Sequence, residues 1–339
     1  MKALLITEHG PPEVLRVQER PDPQPQAGQV RVRVRAAGIN FADLLARVGL
    51  YPESPKAPCV VGYEFAGEVE SLGEGVEGFS VGDRVLGGCR FGGYAELVVT
   101  GVAEVLPLPE DWSYEEGAAL PVNYGTAYAG LVRYGAVHER ERVLLHAAAG
   151  GVGIAGTQIA KIVGAEVFGT ASPAKHEAIH SFGVDHPIDY RNQDFVAEVR
   201  RIAGERRPLD LVMDAVGGRS FKRSFSLLRA GGRLVCFGAS SVQSGERRSR
   251  PRAVKALAQM PRFYPLKLMS ESKAVIGLNM LTLWDSKRSL DELVQPLRRW
   301  MDEERIRPVV AEAFPLERGA EAHRYLHEGK NVGKVVLTL

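Results

Sequence analysis

Val143-Leu144-Leu145-His146-Ala147-Ala148-Ala149-Gly150-Gly151-Val152-Gly153 carries an apolar strand straight into a glycine-rich bend. Beyond it, Ile154, Ile159, Ile162 and Val163 recur at the spacing of one helix face. Strand, glycine turn and helix in this order suit a dinucleotide. Glycine lets backbone approach a pyrophosphate and lets the helix lie close on its strand, while the helix N-terminus turns unpaired N–H groups toward the anion. Gly150 and Gly153 fill the second and third fingerprint positions, with Gly151 and Val152 between them, but Ala148 stands where the first glycine is usual. The competing reading is a glycine turn that only packs a helix.

The end of the next strand selects the nucleotide. NAD sites place an Asp or Glu there for the ribose 2′-hydroxyl. Here the chain reads Thr170-Ala171-Ser172-Pro173-Ala174-Lys175, with no acid. A carboxylate would repel a 2′-phosphate, whereas the Ser172 hydroxyl and Lys175 ammonium can donate hydrogen bonds to one, each worth about 1.5–3 kcal/mol. NADPH is therefore the expected cofactor. The alternative is that Lys175 is only a solvated charge on a first helical turn.

Outward from this turn, β-branched runs alternate with helical patterns, the signature of βαβ units and a doubly wound parallel sheet. Strands are expected at residues 143–147, 166–170, 209–214 and 233–237, with Gly164, Gly183 and Gly231 as helix stops. The first third differs: it is rich in Gly and Pro, and Val30-Arg31-Val32-Arg33-Val34-Arg35 alternates with a strand's period of two. An amphipathic helix over 290–304 and a short strand at Val335-Val336-Leu337 close the chain. A length of 339 residues suits about two domains, and a net charge of +2 argues against global attraction to nucleic acid. Cys59, Cys89 and Cys236 are scattered and read as reduced, buried residues rather than a disulfide framework or metal site. With no run of about eighteen apolar residues, a cytoplasmic protein is expected.

Several further stretches, taken with the glycine turn, span nearly the whole chain. They are Ala37-Gly38-Ile39-Asn40-Phe41-Ala42-Asp43, Gly49-Leu50-Tyr51-Pro52, Val81-Gly82-Asp83-Arg84-Val85, Gly169-Thr170-Ala171-Ser172, Ile188-Asp189-Tyr190 and Asn331-Val332-Gly333-Lys334-Val335. In these the chain resembles the medium-chain dehydrogenase/reductase superfamily, within it the zinc-free quinone oxidoreductases, and among them the vesicle amine transport protein branch. The resemblance implies a GroES-like, β-rich catalytic domain of residues 1–122 and 284–339, a Rossmann NADPH-binding domain of 123–283, and the cofactor in the cleft. It also implies a homodimer or higher oligomer joined through strands near Lys273–Met280.

The departures from zinc-dependent relatives concern chemistry. Asn40 stands where those enzymes carry a Cys ligand, and Gly62-Tyr63-Glu64 where they carry Gly-His-Glu, so no tetrahedral zinc site of the usual kind is expected. Without a Lewis acid, alcohol oxidation is poorly supported at neutral pH, while hydride transfer to a quinone or other conjugated carbonyl remains feasible.

By the resemblance, Asn40 contacts the nicotinamide end or the acceptor; its alternative duty is to cap the helix beginning near Phe41. Asp43 is expected to orient neighbours. Tyr63, with Tyr51 and Tyr128 as similar candidates, either hydrogen-bonds the acceptor oxygen or simply packs its ring. Catalysis can also proceed by positioning alone, with water supplying the proton. Thr126 matches a residue near the nicotinamide, Tyr190 one near the adenine ribose phosphate, and Asn331 a C-terminal cofactor contact or else a turn. Phe237, Gly238 and Ser240 follow a Rossmann strand at the ligand-binding edge. The arginine-rich segment 245–267 reads as a lid over the cleft, with Phe263, Tyr264 and Leu266 lining the acceptor pocket, or as a basic patch for anionic membrane surface. Two other functions share these features: enoyl-thioester reduction, and a weakly catalytic NADPH-binding membrane or interaction protein.

Overall fold

The computed structural model describes residues 1–243, 245–246, 249–287, 289 and 291–339, with Arg250 described by its backbone alone. Arg247 and Arg248 of the basic segment, and Leu290 at the expected helix start, lie outside the described residues. The chain forms two compact units, one of Met1–Gly125, Gly245–Arg248 and Met280–Leu339, the other of Thr126–Ser244 and Ser249–Asn279.

The second unit is an open sheet of six strands, β1 (Arg142–Leu145), β2 (Glu166–Ala171), β3 (His186–Asp189), β4 (Leu209–Asp214), β5 (Leu228–Cys236) and β6 (Ala274–Gly277). They pair in the order β3-β2-β1-β4-β5-β6, every pair parallel. That is the doubly wound order of dinucleotide-binding sheets, whose ligands sit beyond the carboxyl ends of the strands. Helices α1 (Gly151–Val163), α2 (His176–Ser181), α3 (Phe195–Ala203) and α4 (Arg219–Leu227) make the crossovers. All six residues of β4 are buried, as in a strand covered on both faces.

Three local expectations need correction. β1 ends at Leu145 rather than at Ala147, because Ala147 has a left-handed backbone (φ +54°) that no strand continues. β5 begins at Leu228, five residues before the expected Arg233. Consequently Gly231 is not a helix stop. α4 already ends at Leu227, and Gly231 (φ +81°) lies within the strand, where its N–H donates to Ser272 O at 2.6 Å. Gly164 (φ +88°) does end α1 in the left-handed conformation, and Gly183 (φ +107°) follows α2. β6 is one of the two outer strands of the sheet, β3 the other.

The first unit is built on a seven-stranded, mostly antiparallel sheet. Its long central strand Gln29–Ile39 buries Val30, Val32 and Val34, while Arg31 and Arg33 pair with Glu70 and Arg35 with Glu68. The period-two alternation is thus resolved by an apolar face and an ion-paired face. The C-terminal strand Lys334–Thr338 runs antiparallel to it, with Val335 opposite Ile39. This register sets Lys334 next to Asn40 across 294 residues of chain.

The units divide at Gly125 and Met280, against boundaries expected at 122 and 284. Gly245 and Glu246, expected in the nucleotide-binding range, pack with the first unit. Gly245 N–H donates to His327 Nε2 at 2.6 Å, Glu246 pairs with Arg324, and the buried Arg47 donates to Glu246 O. Of the three thiols only Cys89 is buried; Cys59 and Cys236 are partly exposed, and all are free. Among the described residues no helix is long and apolar enough to cross a membrane.

Candidate active site

At the glycine turn the backbone explains each residue. A Cβ on Gly153 would lie 2.4 Å from Ala147 O and 2.6 Å from Ala148 backbone, so only glycine lets α1 sit on the turn. A Cβ on Gly150 would meet a single atom within 4 Å, Ala147 O at 3.3 Å, which leaves open space for an anion beside the peptide. The first-turn N–H groups of α1, from Gly151 to Gly153, have no intrahelical acceptor. The backbone at Gly150 and Gly153 has the close approach and open space that the second and third fingerprint positions require.

The departure at Ala148 is compensated on the neighbouring strand. A Cβ added to Gly169 would come within 2.9 Å of the Ala148 methyl and 2.8 Å of Val184. The missing glycine has moved from the turn to β2, and close packing is kept. The alanine at position 148 is no obstacle to a phosphate cradle.

Beyond β2, Ser172 is buried at the head of a short turn, Pro173–Lys175. Partial burial lowers the Lys175 pKa, and the charge of Arg191 lowers it further. Arg191 was not singled out from sequence, because the strand end that carries it becomes a neighbour of Ser172 only through the β2–β3 pairing, Ala171 opposite Asp189. Two cations held near one another favour an anion between them. Asp189, at the end of β3, is occupied by Asn192 Nδ2 at 2.6 Å and Arg191 N–H at 2.9 Å. Tyr190 is 53% exposed on the same loop.

Other cofactor candidates are differently placed. Thr126 is buried in the helix Pro121–Tyr128. Thr170 is buried, and its hydroxyl is used inside the protein, on His146 and Ala147 N–H. Phe237, Gly238 and Ser240 follow β5; a Cβ on Gly238 would approach Ala215 O to 3.0 Å, and Ser240 N–H donates to Ala215 O. Asn331 is buried and donates to Gly333 O at 2.8 Å, so its amide shapes the turn before the last strand.

The candidate catalytic residues of the first unit converge on a buried polar cluster. Lys334, 3% exposed, pairs with the fully buried Glu64 carboxylate and donates to Asn40 Oδ1 at 2.6 Å and Asn123 Oδ1 at 3.4 Å. Asn40 Nδ2 donates to Glu64 Oε1 at 2.9 Å, and Val122 N–H to Glu64 Oε2 at 2.7 Å. Lysine can only donate and carboxylate only accept here, so the orientation of the Asn40 amide is unambiguous and one of its N–H groups remains over. Asn40 does head the helix Phe41–Arg47, but the reciprocal bond is made by Asp43, whose carboxylate accepts Asn40 N–H at 2.7 Å.

Asp43 is fully buried and also accepts from Tyr94 Oη at 2.8 Å and Gly62 N–H at 3.2 Å. Burial pushes its carboxyl up to about 7, against those hydrogen bonds and the charge of Lys334, which pull it down. Tyr63, 6% exposed, packs edge-on to Tyr51 (6.5 Å between ring centres) and against Phe91 (5.4 Å). Its hydroxyl has no hydrogen-bond partner among the described residues. Burial raises the pKa of both phenols, that of Tyr63 more. A buried orphan hydroxyl costs about 1–3 kcal/mol, which a bound acceptor oxygen would relieve. Tyr128 belongs to the second unit. Phe263 packs tilted against Phe225 in the second unit (5.1 Å between ring centres) while Tyr264 and Leu266 stand exposed, so the three do not form one lining.

No group of three His, Cys, Asp or Glu side chains among the described residues could hold a metal ion. Asn40 and Tyr63 place an amide and a phenol at their positions, beside the Lys334–Glu64 ammonium–carboxylate pair.

Two family models match, an alcohol dehydrogenase GroES-like domain over residues 26–110 and a zinc-binding dehydrogenase over 182–337. A synaptic vesicle membrane protein VAT-1 homolog of Danio rerio is 38% identical over 339 residues, covering 99% of this chain and 70% of that protein. The Escherichia coli quinone oxidoreductase, solved in complex with NADPH, superimposes with a TM-score of 0.86 at 29% identity, covering all of both chains. The CurK enoyl reductase does so with 0.85 at 30% identity, over 99% of this chain and 98% of that one.

Replacing Lys334 with Met strands the buried Glu64 charge and is expected to cost about 3–5 kcal/mol of unfolding free energy, most of it recovered by adding Glu64→Gln. Chemical denaturation of the three proteins checks this. For Asp43 the native pKa lies above the ordinary 3.8, so the folded state holds a proton that the unfolded chain has released. Its contribution is full below about pH 4 and is lost as pH rises toward 7. Wild type is therefore expected to lose stability relative to Asp43→Asn across that window; a difference that stays flat with pH contradicts it.

Proposed function

The chain belongs to the medium-chain dehydrogenase/reductase superfamily, close to the VAT-1 homologues, and from that premise we propose that it is an NADPH-dependent reductase, working without zinc, of quinones or other conjugated carbonyl compounds. The observation that carries the reading is the glycine turn followed by Ser172, Lys175 and Arg191, with the Asp189 carboxylate engaged by its own loop. In this reading Gly150, Gly151, Val152 and Gly153 hold the pyrophosphate on the N-terminus of α1. Ser172, Lys175 and Arg191 take the 2′-phosphate, with Tyr190 beside it. Ala148, Thr126, Phe237, Gly238 and Ser240 shape the rest of the berth.

NADPH, when bound, supplies the hydride. The protein's part is to fix the acceptor and receive the negative charge that arrives on its oxygen. The spare N–H of Asn40, held rigid by Lys334 and Glu64, donates to that oxygen, and the orphan Tyr63 hydroxyl is a second donor. Donors fixed in advance need no reorganisation as charge develops. Tyr51 backs the Tyr63 ring. The phenols are too reluctant to ionise to act as strong acids, so water delivers the final proton. Assembly as a homodimer through the outer strand β6 belongs to the same reading.

A second reading is favoured by one surface observation. Val254, Leu257, Leu266 and Met269, on the helices Arg250–Ala258 and Pro265–Glu271, and Tyr264 just before the second, are all more than half exposed, and the same helices carry the exposed Arg252, Lys255 and Lys267. Apolar and basic side chains together suit an anionic membrane surface. In it the protein binds NADPH but works mainly at membranes.

Native protein is expected to bind NADPH at least tenfold more tightly than NADH, and Lys175→Ala to weaken NADPH by about tenfold, or roughly 1.4 kcal/mol. Equal affinities for the two coenzymes refute the phosphate argument. Loss of NADPH absorbance against a quinone, an enone and an enoyl thioester separates the acceptor classes; silence on all three with cofactor bound supports the second reading. In that case sedimentation with phosphatidylserine vesicles is expected to fall when Leu257 and Leu266 are changed to Ser, and binding indifferent to anionic lipid ends it.

A further inference from the structure

Beneath the phosphate turn runs a buried chain of side chains that the reductase reading does not use. Asp214, at the end of β4, is fully buried and accepts four hydrogen bonds. Two come from backbone, Val216 N–H at 2.8 Å and Gly217 N–H at 3.2 Å, and two from hydroxyls, Ser220 Oγ at 2.7 Å and Ser224 Oγ at 2.8 Å. Ser224 has one proton and spends it on Asp214. The same oxygen lies 3.0 Å from His146 Nε2 and can only accept there, so Nε2 carries the imidazole proton.

The other side of the ring follows. A neutral imidazole with hydrogen on Nε2 has its lone pair on Nδ1, 3.1 Å from Thr170 Oγ1. Thr170 donates its proton to that lone pair and accepts Ala147 N–H at 3.3 Å. The sequence Ala147 N–H, Thr170 O–H, His146, Ser224 O–H, Asp214 is thus polarised in one direction throughout. The opposite tautomer would need Ser224 to donate twice. Burial, opposed by Asp214 and assisted by Arg223, keeps the ring neutral, and Phe195 packs edge-on against it at 4.8 Å.

The end of this chain is the pivot of the turn. Ala147 is held at φ +54°, a conformation costing a residue with a Cβ about 1–2 kcal/mol. Its carbonyl accepts Gly150 N–H at 2.9 Å and faces Gly153. Such strain persists only where surroundings over-determine it.

We propose that His146 is a positioning residue for the cofactor: fixed as the Nε2–H tautomer, it is the middle link of a one-way hydrogen-bond chain that anchors Ala147 to Asp214 and so holds the phosphate turn in its binding shape. The inference rests on reading that turn as the NADPH site.

Two measurements on the full chain test it. Long-range proton–nitrogen NMR of histidine-labelled protein is expected to show His146 as the Nε2–H form, unchanged from about pH 6 to 8, where free imidazole titrates. An Nδ1–H tautomer, or titration in that range, overturns the proposal. NADPH affinity is expected to fall about tenfold in Thr170→Val and in Ser224→Ala, and no further in the double variant, since both cut one chain. Thr170→Ser, which keeps the hydroxyl, is expected to bind as wild type does. Losses that multiply in the double variant, with wild type binding normally, overturn this inference alone; failure of wild type to bind NADPH overturns it together with the reading beneath it.

Discussion

The close approach of α1 to the end of β1 is the constraint on which the functional account depends. Gly153 beneath Ala147 O admits no side chain, and the strained Ala147 fixes the direction in which the chain leaves the strand. Together they turn the helix N-terminus, with its unpaired N–H groups and partial positive charge, toward the carboxyl edge of the sheet. A six-stranded sheet in the order β3-β2-β1-β4-β5-β6 places that turn where its strand order reverses, the usual crevice for a dinucleotide. The cations of Lys175 and Arg191 follow the neighbouring strands β2 and β3.

In the first unit the electrostatics are settled by a protein cation. Lys334 and Glu64 are both buried, and neither would be tolerated there alone, because desolvating a single charge costs several kcal/mol. The pair is completed by Asn40, Asn123 and Val122 N–H, so nearly every polar atom is satisfied. Among the described residues, the groups left over include one amide N–H of Asn40 and the phenol of Tyr63, next to Glu64 in sequence. These are groups that stabilise charge on an acceptor oxygen, and they are poor at taking protons from an alcohol. In the proposed reading the chemistry they would serve is reduction of an already polarised carbonyl.

Much of this was legible in the sequence, and the parts that were not share a cause. The glycine turn, the missing acid after β2 and the alternation of Val and Arg in residues 30–35 are local patterns, and the structure realises each of them. The compensation of Ala148 by Gly169 was not readable, because it depends on how β2 registers against β1. The partnership of Lys334 with Asn40 depends likewise on the register of the first and last strands of one sheet. Asn331 drew attention as the family position, yet its amide closes a turn, and the lysine three residues later reaches the cluster. Gly231 was misread because a glycine after a helical pattern usually ends it, whereas here α4 stops earlier and β5 needs the left-handed residue.

Amide hydrogen exchange with and without saturating NADPH tests the central claim most directly. The account predicts slowed exchange concentrated at Ala149 to Ile154 and in the stretches holding Lys175 and Arg191, with NADH protecting the turn but sparing those two stretches. Unchanged exchange at the turn while NADPH is bound would place the coenzyme elsewhere and contradict the account.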